Sequence, residues 1–245
     1  MVVLACVAAA ELAGMFRARG VATSGFHLAA CALLGLAVSF RDPDASGGRT
    51  AVPVFASALV AVFAVTMLLH ARGRSPAGVT GACGAALLAF VYLGVMFGFV
   101  FALRREHSSW VLLWVVLTVK ACDIGAYFTG RAIGRHKLIP WLSPGKTWEG
   151  LAGGAAFAAV IATAGAWMLE RWDGASPMGY GAAAAFGAVS ALLGQAGDLM
   201  ASFLKRDAGV KDSGRVLPGF GGVLDVIDSP LLVVPVAFWW LRATA

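Results

Sequence analysis

Residues 202–228, SFLKRDAGVKDSGRVLPGFGGVLDVID, form a charged, Gly-rich stretch between two apolar runs. Asp225 and Asp228 are three positions apart and share one face if they lie in a helix. Asp198 precedes Ser202 by four positions, which is again one helical face. The stretch therefore predicts acidic groups at two helix ends joined by a short basic loop. This arrangement suits a metal ion that holds a phosphate against cations; a charged connecting loop without a ligand is the alternative.

The composition places the chain in a lipid bilayer. Of its 245 residues, 60% are hydrophobic and 13% are charged, whereas a soluble domain carries about 25% charged residues. We predict an all-α fold, a polytopic integral membrane helical bundle with about eight transmembrane helices. The first segment is short and contains Glu11, so whether it spans the membrane is left open. The apolar segments are 1–16, 21–40, 51–70, 79–103, 109–130, 150–169, 180–200 and 223–241.

The distribution of basic residues predicts the orientation. The loops after the first, third, fifth and seventh segments hold twelve Lys and Arg residues, and the opposite loops with the C-terminus hold six. The richer side is expected to face the cytoplasm. Loops 131–149 and 201–222 are therefore both predicted to be cytoplasmic, where nucleotides are present.

Net charge and cysteines exclude other classes of protein. The formal charge of +6 is explained by basic loops that face anionic headgroups and substrates, so we expect no nucleic-acid partner. The cysteines lie inside apolar runs without CxxC spacing, which favours buried apolar packing over disulfides or zinc. They are Cys6, Cys31, Cys83 and Cys122.

Polar groups also occur at membrane depth. Lys120, Asp123 and Tyr127 lie on one face of an otherwise apolar predicted helix. Charges in a bilayer are costly and usually face a partner or an aqueous cavity. Two interpretations stay open: Lys120 and Asp123 neutralise each other, or this face lines a cavity shared with Asp198 and Ser202.

Loop 131–149 is the second informative stretch. Its Gly-Lys-Thr ending at Thr147 is similar to the tail of a P-loop, but the earlier glycine and a preceding strand are missing, so a Walker-type fold is rejected. Ser143-Pro144 predicts the start of a turn, and Thr147 is predicted to cap the next helix. Lys146 would then lie near a helix N-terminus, where a phosphate is favoured.

These motifs resemble the signature of the phosphatidate cytidylyltransferases, also called CDP-diacylglycerol synthases. The Asp-x-Gly-Ala-Tyr element begins at Asp123, and Ser-Pro-x-Lys-Thr-Trp-Glu-Gly runs over 143–150. The resemblance covers about 120–241, and two positions depart from it, with Phe220 in place of His and Val226 in place of Arg. In the main stretch the matching positions are Ser202, Lys205, Arg206, Lys211, Asp212, Gly214, Pro218, Gly221, Gly222, Asp225 and Asp228.

The resemblance implies transfer of CMP from CTP to phosphatidate in phospholipid biosynthesis. It implies Mg²⁺ on Asp198, Asp225 and Asp228, with Asp123 supporting the metal or ordering Lys120. A monovalent cation such as K⁺ beside Mg²⁺ is left open. Lys205, Arg206 and Lys211 are expected to be catalytic cations. The expected substrate-binding residues are Ser143, Lys146, Thr147, Ser202, Asp212, Gly221 and Gly222.

The resemblance also implies location and organisation. We expect a protein of the bacterial inner membrane, with its active site toward the cytoplasm and with membrane lipids and a homodimer as partners. Residues 1–119 would form N-terminal membrane helices and 120–245 the catalytic region of one continuous membrane domain. The alternatives are a divergent or inactive homologue, a CTP-dependent polyprenol kinase and a membrane transporter.

Overall fold

The structure is a computed structural model that describes residues 1–40, 51–174, 176–219 and 221–244. The described chain is almost entirely helical, as predicted. The helices are α1 (Val2–Ala18), α2 (Gly25–Phe40), α3 (Ala51–Ala71), α4 (Val79–Leu88), a π-helical segment (Ala89–Val95), α5 (Met96–Glu106), α6 (Ser109–Ile133), α7 (Trp148–Asp173), α8 (Tyr180–Asp207) and α9 (Val223–Thr244).

Six helical segments of the described chain are long and apolar enough to cross a membrane. They are Ala51–Ala71, Val79–Glu106, Ser109–Ile133, Trp148–Trp172, Tyr180–Asp207 and Val223–Thr244. The predicted segments 1–16 and 21–40 coincide with α1 and α2, which have 17 and 16 residues and fall short of the roughly 20 residues that a span needs. The chain is an integral membrane protein, with six of the eight predicted spans supported by length and composition.

The described chain divides into two compact units. The first unit contains Met1–Ala102 and Leu204–Val226, and the second contains Leu103–Phe203 with the chain from Ile227 onward. Helices α8 and α9 each contribute to both units. The predicted division into residues 1–119 and 120–245 was based on the position of the catalytic motifs and not on packing. It therefore stays a prediction.

In the first unit, α2 packs against α1 and the π-helical segment through small residues. A Cβ atom added to Gly35 would lie 2.3 Å from the carbonyl oxygen of Phe90, and one added to Gly94 would lie 2.5 Å from that of Ala32. Gly98 faces Ser39 at a similarly short distance. The GxxxG pair at positions 94 and 98 therefore serves close helix packing within the chain.

In the second unit, α6 packs along α7, and glycines again permit the close approach. A Cβ atom on Gly154 would lie 2.8 Å from the carbonyl oxygen of Cys122. The indole of Trp114 donates a hydrogen bond to Ala162 O at 2.9 Å. This pairing fixes the position of α6, which carries the intramembrane charges, against the helix that follows loop 131–149.

Loop 131–149 contains a small antiparallel hairpin, which is the departure from an all-α fold. Strands β1 (Lys137–Ile139) and β2 (Ser143–Thr147) pair in the register Lys137 with Thr147 and Ile139 with Ser143. The turn lies at residues 140–142 and is closed by Leu142 N donating to Ile139 O at 3.2 Å. The prediction that Ser143-Pro144 begins a turn is wrong, because Pro140, with its fixed φ, already starts the turn three residues earlier.

The ends of α7 follow from local chemistry. Thr147 precedes the helix with extended backbone, and its hydroxyl accepts a hydrogen bond from Gly150 N at 3.1 Å. The predicted cap is thus confirmed. The helix ends at Gly174, whose φ of 77° is a left-handed conformation that glycine adopts without a Cβ penalty.

Candidate functional site

A cluster of four polar side chains, called here the capping cluster, lies in the first unit. It consists of Glu11, Lys205, Ser213 and Asp225. Asp225 accepts hydrogen bonds from Lys205 Nζ at 2.6 Å, Ser213 N at 2.8 Å, Ser213 Oγ at 3.0 Å and Gly222 N at 2.9 Å. The Lys205 and Asp225 side chains are only 12% and 11% exposed. Asp225 is therefore a buried carboxylate whose charge is matched by internal donors.

Glu11 completes the cluster from α1. Its carboxylate accepts hydrogen bonds from Val223 N at 2.8 Å, Leu224 N at 2.9 Å and Ser213 Oγ at 2.9 Å. The first amide groups of a helix have no partner within it, so α9 begins with its donors satisfied by a residue more than 200 positions away. Because these amides also carry the positive end of the helix dipole, an anionic cap is favoured there.

The two carboxylates share the hydroxyl of Ser213. Its Oγ lies within hydrogen-bond distance of both Glu11 Oε2 and Asp225 Oδ2. A serine hydroxyl has one proton and can donate it to one acceptor at a time. Ser213 therefore couples the two acidic groups, because a bond to one carboxylate leaves the other with fewer donors.

The glycines of the main motif are explained by this cluster. A Cβ atom on Gly222 would lie 2.0 Å from Ser213 Oγ and 2.5 Å from Glu11 Oε2, and one on Gly214 would lie 2.6 Å from Glu11 Oε1. Gly221 has a φ of +89° and lies beside Asp225. Gly214 and Gly222 are required because a side chain there would clash with the Glu11 carboxylate or the Ser213 hydroxyl. Gly221 is required because its positive φ disfavours residues with a Cβ atom.

The other predicted residues of this loop are exposed. Arg206 donates to Val210 O at 3.2 Å and so folds back on its own loop. The side chains of Lys211 and Asp212 face outward. Gly221 pairs with Leu217 in both directions, through N–H···O bonds of 2.9 and 3.1 Å. Arg206 and Lys211 remain accessible to an anionic ligand, whereas the backbone groups of Gly221 are used within the protein.

A second group, called here the hairpin cluster, lies in the second unit and consists of Lys120, Asp123, Lys146 and Asp198. Lys146 Nζ lies 2.6 Å from Asp198 Oδ2. The Nζ atom of Lys146 is buried. Its contact with Asp198 is an ion pair whose angles do not meet the requirements of a hydrogen bond. Ser202 Oγ contacts Asp198 Oδ1 at 3.5 Å. Asp198 is 35% exposed, and among the described residues Lys146 and Ser202 are the groups that contact its oxygens.

Asp123 joins this cluster from α6. It forms an ion pair with Lys120 at 3.3 Å, and both side chains are partly exposed. Asp123 is also near enough to Asp198 and Lys146 to interact electrostatically with both. Lys120 and Asp123 therefore pair, as the first interpretation has it, and the pair lies near Asp198 and Lys146. The shared cavity of the second interpretation stays a prediction.

Asp228 lies where α8 and α9 cross in the second unit. Its side chain is 3% exposed, and its Oδ1 accepts from Ser229 N at 2.6 Å. A Cβ atom on Gly197, the neighbour of Asp198, would lie 2.6 Å from Asp228 O. The glycine thus allows the helices to touch next to both predicted aspartates.

The comparison with known proteins agrees with the motifs. A model of the cytidylyltransferase family matches residues 1–244. The chain belongs to the cytidylyltransferase family. The resemblance seen in the sequence is thereby confirmed, over nearly the whole chain instead of its C-terminal half alone.

Several relatives are named phosphatidate cytidylyltransferase. The one from Bacillus subtilis is 37% identical over 160 residues, which cover 64% of this chain and 58% of the relative. The Haemophilus influenzae relative is 42% identical over 132 residues, covering 53% and 44%. The Helicobacter pylori relative is 39% identical over 147 residues, covering 60% and 52%. The chain thus spans about half the length of the curated relatives it matches.

The structural roles of two carboxylates, Glu11 and Glu149, were not predicted from the sequence. In the sequence, Glu11 stands out only as a charge within the apolar first segment. Glu149 accepts hydrogen bonds from Arg135 N and His136 N, both at 3.2 Å, and thereby ties the hairpin to α7. A signal was present for Glu11, since a carboxylate inside an apolar helix requires a partner. Its partner could not be named, because it is distant in sequence.

The aspartates assigned to Mg²⁺ by the resemblance differ in how well they fit a cation. Among the described residues, no three His, Cys, Asp or Glu side chains form a group that could hold a metal ion. Asp198 fits, because it is partly exposed and its oxygens have few donors. Asp225 does not fit in this arrangement, because four donors occupy its two oxygens.

Proposed function

We propose that this protein is a phosphatidate cytidylyltransferase, which converts CTP and phosphatidate to CDP-diacylglycerol and pyrophosphate. The observation that carries the proposal is the family match over residues 1–244, in a chain whose relatives bear that name. Six helical segments of the described chain are long and apolar enough to cross a membrane, which suits an enzyme whose substrate is a membrane lipid.

The proposed reaction is a substitution at the α-phosphorus of CTP. An oxygen of the phosphatidate monoester forms a bond to that phosphorus, the bond to the β-phosphate bridging oxygen breaks, and pyrophosphate leaves with the electron pair. The monoester is already an anion near neutral pH, so the nucleophile needs little help from a base. The main barrier is repulsion between anions, which positioned cations reduce.

The chain's own cations suit this task to different degrees. Arg206 and Lys211 are exposed and accessible to a triphosphate. Lys146 and Lys205 are held by Asp198 and Asp225 at 2.6 Å. An ammonium has three donors, so each lysine can keep its carboxylate and still bind a phosphate oxygen. Asp198 and Asp225 thus orient the two lysines.

We propose Mg²⁺ as the cofactor, with Asp198 as its ligand of best fit. The assignment of Asp225 and Asp228 as further Mg²⁺ ligands stays a prediction of the sequence resemblance, and the fully occupied oxygens of Asp225 speak against it in this arrangement. A monovalent cation such as K⁺ beside Mg²⁺ also stays a prediction. A divalent ion bound to the triphosphate would neutralise charge on the departing pyrophosphate. Asp123 would then support the site through its electrostatic interaction with Asp198 and Lys146.

The proposed location is the bacterial inner membrane, with the active site toward the cytoplasm. One contact supports the predicted loop alternation: Arg19, after α1, forms an ion pair of 3.4 Å with Asp207 at the end of α8. Two loops that were predicted on the same side therefore meet in the first unit. The homodimer stays a prediction, to be tested by the mass of the purified protein in detergent.

The proposal is tested with purified protein in detergent, phosphatidate, Mg²⁺ and CTP labelled at its α-phosphate. Label is expected in the lipid fraction, in equal amount to the pyrophosphate released, and it should be lost on chelation. Release of CDP with a phosphorylated polyprenol would identify the kinase instead. Absence of any product from folded protein would indicate an inactive homologue, and solute flux in proteoliposomes without CTP would indicate a transporter.

A further inference from the structure

A cavity of about 840 Å³ lies in the first unit, bordered by α2, α3 and the loops that follow α1 and α3. Small-molecule sites have volumes of roughly 300–1,000 Å³. Much of its wall is apolar and includes Phe26, Val65 and Leu69, which are 85%, 45% and 39% exposed. It shares no residue with the capping cluster or the hairpin cluster.

Cationic and donor groups line the same cavity. Arg17, in the last turn of α1, is exposed, and its guanidinium has no ion pair within residues 1–40, 51–174, 176–219 and 221–244. The Nε2 atom of His70 is buried and has no hydrogen-bond partner in the same described ranges. A buried imidazole nitrogen without a partner is costly, so His70 points to a ligand that would complete its bonding.

The third polar group, His27, is already oriented. Its Nε2 lies 2.9 Å from Thr66 Oγ1, and that hydroxyl donates its proton to Val62 O at 2.6 Å. Because a threonine hydroxyl has one proton, His27 Nε2 must be the donor to Thr66. Its ring is thereby fixed in the wall, so Arg17 and His70 are the groups left to bind a ligand.

We propose that this cavity binds an anionic glycerophospholipid of the surrounding membrane. Arg17 would bind the phosphate oxygens through its planar donors, and His70 would donate from Nε2. An acyl chain would lie along Phe26, Val65 and Leu69. An apolar wall beside a cation matches an amphiphile, whereas free inorganic phosphate would leave that wall uncovered.

The charge of the neighbouring loops favours the same ligand class. Arg72 and Arg74 follow α3 on the loop that borders the cavity, and Arg19 follows α1. Basic residues next to membrane helices attract anionic headgroups by about 1 kcal/mol each. The loop arginines thus attract anionic headgroups in general, whereas Arg17 and His70 make specific contacts with the phosphate. Substitutions in the loop and in the cavity can separate the two contributions.

The test measures lipid bound to the purified, delipidated full chain by native mass spectrometry in detergent. Phosphatidylglycerol, phosphatidate, phosphatidylcholine and inorganic phosphate are titrated separately. We expect one tight site for phosphatidylglycerol and at least tenfold weaker binding of phosphatidylcholine. Phosphatidate should bind at this site and at a second one, because as the proposed substrate it also binds at the active site. Arg17→Gln should weaken phosphatidylglycerol binding about tenfold, the loss of one charge-assisted contact, and His70→Leu should weaken it several-fold.

Arg72→Gln is the matched control, because it removes the same charge from the adjoining loop but does not line the cavity. It should leave the tight site unchanged, and equal losses in Arg17→Gln and Arg72→Gln would overturn the proposal. Ala30→Phe keeps every charge and fills the cavity, so it should abolish the tight site; retained binding would refute the location. Tight binding of inorganic phosphate, or a dimer that excludes lipid, would also overturn it.

Discussion

The capping cluster and the hairpin cluster use the same residue types for different purposes. In each, a lysine contacts an aspartate at 2.6 Å. Asp225 receives three further bonds from Ser213 and Gly222, and Glu11 beside it receives bonds from two helix amides. Among the described residues, Asp198 receives one further, long contact, from Ser202. The number of internal donors therefore separates a carboxylate that holds the fold from one that is available to a ligand.

The strongest test of this comparison exchanges each aspartate for asparagine. Asp198→Asn should lower cytidylyl transfer at least about a hundredfold, as loss of a positioned charge does, and destabilise by about 1 kcal/mol, because the buried Lys146 ammonium loses its counter-charge but keeps an amide oxygen as acceptor. Asp225→Asn should lower transfer similarly and also destabilise by about 2 kcal/mol, because its donors lose an anionic acceptor. Transfer and thermal unfolding are measured on the same preparations; full activity of Asp198→Asn would remove its assignment.

The second test concerns the cap of α9. Glu11→Ala should destabilise the protein by about 3 kcal/mol, because two buried amides and the Ser213 hydroxyl lose their acceptor. Glu11→Gln retains one acceptor oxygen, so its stability should lie between that of Glu11→Ala and that of the wild type. Thermal unfolding in detergent gives the order. A Glu11→Ala protein as stable as wild type would show that the capping cluster does not hold the fold.

The third test addresses the helix crossing beside the hairpin cluster. Gly197→Ala should destabilise by about 2 kcal/mol, because its new methyl group would overlap Asp228 O. Gly181→Ala is the control in the same helix, since nothing lies within 4 Å of the added atom. Equal unfolding temperatures for the two variants would argue against close packing at this crossing.

The fourth test concerns the helix start that follows Lys146. Thr147→Ala should destabilise by about 1 kcal/mol through loss of the cap, while Thr147→Ser should retain most of the stability. Because Lys146 is the preceding residue, we also expect a moderate rise in KM for CTP in Thr147→Ala. An unchanged KM would separate the cap from substrate binding.

The smallest effect is expected at the positions that depart from the family signature. Val226→Arg combined with Phe220→His should retain or raise cytidylyl transfer, since both changes restore the family's residues. Phe220 lies outside the described residues, so this prediction rests on the signature alone. A folded double variant without transfer would indicate that the site has been rebuilt around different contacts.

Much of the architecture could be predicted because apolar length and local capping are properties of short segments. The eight apolar segments coincide with helices, and Thr147 caps α7 as expected. The hairpin at 137–147 was missed, because strands of three and five residues have too little periodicity to predict. The role of Glu11 was missed because a single charge predicts the need for a partner and not its identity.

The sequence by itself determined the membrane class and the family, since composition and ordered motifs need no knowledge of distant contacts. It also identified both lysines and the aspartates with which they pair. Only the tertiary structure decided that Asp225 is held by four donors and that Glu11 caps α9. It also decided that His70 lines a cavity and that its buried Nε2 atom has no hydrogen-bond partner in the part of the chain that the structure describes. These facts depend on groups far apart in the chain, whose proximity arises only when the helices pack.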